Sequence, residues 1–208
     1  MKKIVKFPEP REWEEYRNTP NATYKSIPEL RDSLYKEQGY ICAYCMRRIP
    51  CKDPNSTENH KIEHIQCRDN YAIRSLDYSN MIMCCPGNIG GSGLHCDSSK
   101  GNQDISFTPF DDHFIDTLSY NSKDGHIKSS NKKYDQEINE ILNLNNHLLR
   151  INRKNTLDGV LRVLMKYNYS KSYMTRILKK WESKDEEGKF PEYCGIVIYY
   201  LKKKLRQY

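Results

Sequence analysis

The residues of this 208-residue chain most suited to chemistry are its sulfurs and the acids and histidines between them. Cys42 and Cys45 form a C-x-x-C pair. Cys84-Cys85 follow about forty residues later, and ten residues separate Cys85 from Cys96. Zinc takes four nitrogen or sulfur ligands at roughly 2.0–2.3 Å, and a C-x-x-C turn supplies two of them. Two cysteine groups flanking a long loop suit such a site, and the metal would compensate for a small core. The second group is not a clean repeat. Either Cys84 or Cys85 could bind, and His95 could replace a sulfur. The favoured set is Cys42, Cys45, Cys85 and Cys96. A redox C-x-x-C belongs in a thioredoxin-like βαβ setting, and no such pattern surrounds this one. Cys51, Cys67 and Cys194 are expected to be free thiols.

Between the cysteine groups lies Glu63-His64, then Asn80, then Asp97 directly after Cys96, with Lys100 three residues on. Phosphodiester hydrolysis needs a base that activates water and a cation that stabilises charge on the phosphate and leaving oxygen. His64 has the right ordinary pKa for the base. Glu63 and Asp97 could hold one Mg²⁺ or Mn²⁺, a hard ion that needs only one or two carboxylates. Lys100 could meet a phosphate, as could Arg47 and Arg48 after the first knuckle. Glu63 and His64 are adjacent in a strand-like run, so acting together would require the alternation to fail at a strand end or bulge. His60 and His113 are read as structural or surface histidines, and His126 and His147 carry no signal.

The elements that must position these groups follow from pattern. Residues 1–25 are polar with three prolines and read as an arm. "SIPELRDSLYKEQG" reads as a helix with Ser26 and Glu29 as a capping box and Gly39 as its stop. "YICAYC", "HKIEHI" and "NMIMCC" read as short strands, and "DSSKGN" as the first turn of a helix. Asp124-Gly125 between strand-like runs predicts a hairpin. From about residue 134 three apolar stripes predict helices: Ile138, Ile141, Leu142, Leu149; Leu157, Val160, Leu161, Leu164, Met165; and Met174, Ile177, Leu178, Trp181.

Charge is unevenly spread. The net charge is +7, yet residues 121–208 alone carry 19 Lys/Arg against 10 Asp/Glu, a balance of +9 that leaves the first 120 near −2. Such an excess suits a polyanion partner, and equally a set of solvated helix faces. No run has the apolar length of a membrane span. The basic N-terminus lacks the apolar stretch of a secretory signal, so the cytoplasm is the expected location.

The order Glu63-His64, Asn80, Asp97 between cysteine pairs resembles the HNH endonuclease family. "IEHI", "NMIMCCPGNIGGSGLHCDSSKGN" and "LNLNNHLLRINR" resemble its PtuB subgroup, the nuclease of Septu antiphage defence and of some retron systems. The HNH likeness spans about residues 40–105, and the softer subgroup likeness reaches about 165. The final family position is His or Asn, whereas this chain has Asp97. The resemblance implies an α+β fold. A zinc-braced ββα-metal core over 26–106 would follow the 1–25 arm, with a hairpin and basic helical region over 107–208. It also implies a nucleic-acid substrate and a PtuA-like ATPase that gates the enzyme. A retron reverse transcriptase with its noncoding RNA is a further implied partner. Asn80 takes the middle family position, bracing the metal loop or orienting His64. The rival readings are a zinc-stapled module that binds nucleic acid without cutting it, and a standalone restriction-type HNH nuclease.

Overall fold

The computed structural model describes residues 1–49, 60–88 and 93–208. Cys51 therefore lies outside the described residues, as does part of the glycine-rich loop. The class is α+β: helices with two two-stranded antiparallel sheets among the described residues. No helix among them is long and apolar enough to cross a membrane.

Residues 1–25 are not a loose arm. They contain helix α1 (Arg11–Arg17), whose Trp13 is fully buried, and Met1 and Ile4 are buried too. Ile4 N–H donates to the Pro109 carbonyl at 2.9 Å. The Lys6 ammonium donates to Glu37 at 2.7 Å and to the Met81 carbonyl at 3.0 Å, and lies over the Tyr78 ring. A polar sequence hides this because Trp13 is the one buried residue of α1 and the other anchors, Met1, Ile4 and Lys6, are scattered.

Helix α2 (Pro28–Glu37) buries Leu30 and Leu34, as its spacing requires. It starts differently from the capping box expected. Ile27 is the N-cap, no side chain caps the helix, and Pro28 takes the first turn, where its missing N–H costs nothing. Gly39 ends it at φ +58°. "YICAYC" is not a strand: it is a knuckle with one bridge, Ile41 to Arg48. Met46 N–H returns to the Cys42 carbonyl, and Cys42 N–H donates to the Arg47 carbonyl.

Strands β1 (Lys61–His64) and β2 (Met81–Cys84) pair antiparallel, with Glu63 opposite Ile82 and His64 opposite Met81. β2 is buried throughout. The knuckle and α2 are sewn to it: Ala43 N–H donates to the Met83 carbonyl, and Gln38 both accepts from Met83 N–H and donates to its carbonyl. The helix expected at Asp97 is a single turn, α3 (Asp97–Lys100), ended by Gly101.

Short helix α4 (Asp112–Asp116) contains His113, exposed as expected. The hairpin is β3 (Leu118–Tyr120) with β4 (Ile127–Ser129), joined by six residues instead of a two-residue turn. Gly125 is required there. Its φ is +72°, and a Cβ would sit 2.1 Å from the Arg150 carbonyl oxygen. Helix α5 (Lys132–Gln136) runs into a π-helical turn at Glu137–Ile141, followed by α6 (His147–Lys166), α7 (Lys171–Glu182) and α8 (Cys194–Leu205). Leu157, Val160 and Leu164 of α6 and Met174 of α7 are buried as their stripes predict, but Met165 is exposed. No stripe marks α8, which buries Cys194, Val197 and Leu201.

Candidate functional site

Four sulfurs come together from three places in the chain. Cys42 and Cys45 lie on the knuckle, Cys85 just beyond β2, and Cys96 at the head of α3. Their Sγ atoms all lie within 4.8 Å of one another, and all four residues are buried. The Cys42–Cys96 and Cys45–Cys85 separations are 3.8 and 3.7 Å. A tetrahedron with metal–sulfur bonds of about 2.3 Å has edges of about 3.8 Å. The donor set and its spacing fit a structural zinc ion. Neither Cys84 nor His95 belongs to the set. Cys84 is buried beside it, and His95 Nδ1 lies 3.2 Å from Cys96 Sγ and 3.9 Å from Cys85 Sγ. An N–H there would stabilise the thiolates from outside the ligand sphere. Burial opposes ionisation of Cys42, and hydrogen bonds from Cys45, Cys84, Cys85 and Cys96 outweigh it.

The backbone is shaped to make this possible. Gly87 has φ +73°, and a Cβ would come within 2.1 Å of the His95 carbonyl oxygen; His95 N–H closes the loop on the Gly87 carbonyl at 2.8 Å. Cys96 itself has φ +55°, rare for a residue with a side chain. Its amide is held by the Leu142 carbonyl at 2.9 Å, so the π-helical turn anchors the last sulfur.

Beside the sulfurs lies an open cleft of about 650 Å³ whose lining includes Glu63, His64, Arg68 and Asp97. Glu63 and His64 are both only 5% exposed. The strand does not bulge there. Its register continues, and Ile65 N–H still bonds to the Asn80 carbonyl. The two side chains instead take different partners at the strand's end while lining one cleft. Glu63 accepts from Lys100 at 2.9 Å and lies 3.4 Å from the Tyr44 hydroxyl. Burial raises its pKa to about 8, helped by a hydrogen bond to Asp97 and opposed by Lys100. Asp97 is held below the usual range: burial pushes it up, but the Glu63 proton and Lys61, 3.0 Å away, outweigh that. Asp97 opposes the ionisation of Glu63 across the cleft, as one acid does to another. Two acids in contact at a solvent-open cleft fit a hard divalent ion.

His64 Nε2 lies 3.0 Å from the Ser75 carbonyl. A carbonyl only accepts, so Nε2 carries the proton and Nδ1 is the basic nitrogen. The Tyr24 ring packs edge-on against the imidazole at 4.6 Å. Burial lowers its pKa to about 4, against the Ser75 bond that favours the charged form. Asn80 is buried and does not face the cleft as a ligand. Its amide accepts from Gln66 N–H and donates to the Gln66 and Arg74 carbonyls, fixing the loop whose Ser75 holds His64.

Two expectations change. Lys100 is fully buried, paired with Glu63 and 3.4 Å from the His64 carbonyl, so it is not placed to meet a phosphate. Arg48 spends its donors on the carbonyls of Gly39, Tyr40 and Phe190, a structural clamp. Arg47 lines a separate cleft with Asn152, Trp181 and Tyr193. Tyr44, Tyr24, Ser75 and Lys61 support the site without any sequence signal, since nothing in the linear order relates them to Glu63 or His64. No protein-family model matches the chain, and no curated protein does.

Proposed function

We propose that the chain is a metal-dependent HNH-type endonuclease that hydrolyses phosphodiester bonds of nucleic acid. What supports the reading is that two acids, Glu63 and Asp97, line one cleft with His64. In this reading β1, β2 and α3 form the ββα-metal unit, braced by zinc on Cys42, Cys45, Cys85 and Cys96. His64 Nδ1 takes the proton of the attacking water, while the Ser75 carbonyl holds the ring from the other side. Asn80 is a positioning residue that acts through the 66–75 loop. Glu63 and Asp97 would hold Mg²⁺ or Mn²⁺, which supplies charge neutralisation at the phosphate and leaving oxygen.

By the resemblance, the enzyme is the effector of a Septu or retron type antiphage system. A PtuA-like ATPase would gate it, since an ungated nuclease would harm its own cell; a reverse transcriptase and its noncoding RNA would join it in a retron. The test is cleavage of DNA and RNA panels, with and without the ATPase and divalent ion, by wild type and His64→Ala. Loss of cleavage with zinc and fold retained supports the assignment, and unchanged cleavage removes it. One observation favours a non-catalytic zinc-stapled binding module: Glu63 is already engaged by the buried Lys100. In that case wild type binds nucleic acid and cuts none of the panels.

A further inference from the structure

A second concave surface lies along α8, lined by none of the residues that line the Glu63–His64 cleft. One cavity of about 480 Å³ is lined by residues including Lys2, Tyr120, Tyr199, Lys202, Lys203 and Arg206. An adjoining one of about 220 Å³ shares Tyr120, Tyr199 and Lys203 and continues past Lys204. The two cavities adjoin across that shared wall. Tyr199, Lys202, Lys203 and Arg206 are spaced i, i+3, i+4, i+7, so one face of α8 presents them all. The face carrying Cys194, Val197 and Leu201 is in the core.

Three of the cations in and just after the last turn of α8 are uncommitted. Lys202 pairs with Glu182 at 2.7 Å. The side chains of Lys203, Lys204 and Arg206 have no hydrogen-bond or ion-pair partner among the described residues. The helix dipole favours cations in a last turn, but it does not call for a groove or for tyrosines beside them. Tyr199 is half-buried and tilted against Tyr120, ring centroids 5.9 Å apart, which fixes its ring in the wall. Fixed aromatic rings interleaved with free cations in a concave wall match the needs of a flexible polyanion with flat bases: cations track the phosphates, and rings stack the bases. Tyrosine also serves protein interfaces, so competition by an acidic polypeptide separates the two occupants.

We propose that the α8 groove is a binding site for single-stranded nucleic acid, separate from the candidate cleavage cleft. Lys203, Lys204 and Arg206 contact phosphates and Tyr199 stacks a base. The site stands whether or not the chain cuts nucleic acid, and binding is measured without cleavage. The experiment is fluorescence anisotropy of labelled mixed-sequence DNA and RNA 12-mers, single- and double-stranded, in EDTA-free buffer without added divalent ion, over a salt series.

Wild type binds single strands with a salt-dependent affinity. The triple substitution Lys203→Ala, Lys204→Ala, Arg206→Ala weakens binding roughly tenfold or more near 0.1 M salt and flattens the salt slope by about 2. Tyr199→Ala weakens it by about fivefold or more, whereas Tyr199→Phe, which keeps the ring, does not. Binding is read without cleavage, so a failed nuclease assignment leaves this result untouched. Three outcomes overturn the proposal: no binding of single strands by wild type, equal binding by the triple variant, or competition by polyglutamate as effective as by unlabelled oligonucleotide, which would mark a surface for acidic protein. The triple variant removes only side chains without partners, so an unchanged melting temperature checks its fold.

Discussion

His64 is neutral because it is buried, and that has a measurable cost. The unfolded chain takes up the proton near pH 6.5 and the folded chain near pH 4. Between those values the unfolded state binds more protons, so stability falls as pH drops through the window. Without added divalent ion, this single group should remove roughly 3 kcal/mol between pH 7 and pH 4. His64→Gln should flatten that part of the pH–stability curve, and an unchanged curve would show the imidazole titrating normally. Lys100 offers a second residue-scale test. Its ammonium is buried against Glu63, so at pH values well above 8, where Glu63 is ionised, Lys100→Met leaves a buried carboxylate without its counter-ion. The expected loss is roughly 3 kcal/mol by chemical denaturation, much of it recovered in Lys100→Met/Glu63→Gln, where neither charge remains. Sequence alone cannot separate a lysine that greets a phosphate from one that neutralises a neighbour, because both want a cation three residues after Asp97.

At the scale of elements, legibility follows from how local the determining physics is. Helix α2 and its end at Gly39 could be read because Leu30, Leu34 and the glycine act within one helix. The cysteine set could be read because metal geometry constrains spacing tightly. Helix α8 could not, since "CGIVIYYL" is apolar all round and such a run has no period to separate helix from strand. Helix α1 was hidden because a single residue, Trp13, holds it down. Trp13→Ala should therefore cost about 3–5 kcal/mol despite lying in a polar segment, and a change below about 1 kcal/mol would restore the reading of a loose arm. The elements that carry the four cysteines would depend on an ion bound there. A chelator should lower the melting temperature of zinc-loaded wild type, and the loss should be absent in Cys42→Ser, which has already lost a ligand.

Across the whole molecule, the two candidate surfaces differ in kind. The acids and His64 face an open cleft beside the sulfurs, while the free cations and tyrosines line the α8 groove. The excess of +9 in residues 121–208 is thus partly concentrated in a concavity, where its field is focused. The proposed nuclease chemistry requires Glu63 and Asp97 to be a cation site and not merely an acid pair stabilised by lysines. The most direct measurement is Mn²⁺ binding by zinc-loaded protein, followed by electron paramagnetic resonance, for wild type and Asp97→Asn. One Mn²⁺ per wild-type chain, lost in Asp97→Asn while zinc content stays constant, is the expected result. No Mn²⁺ on wild type, or equal binding by the variant, would contradict it.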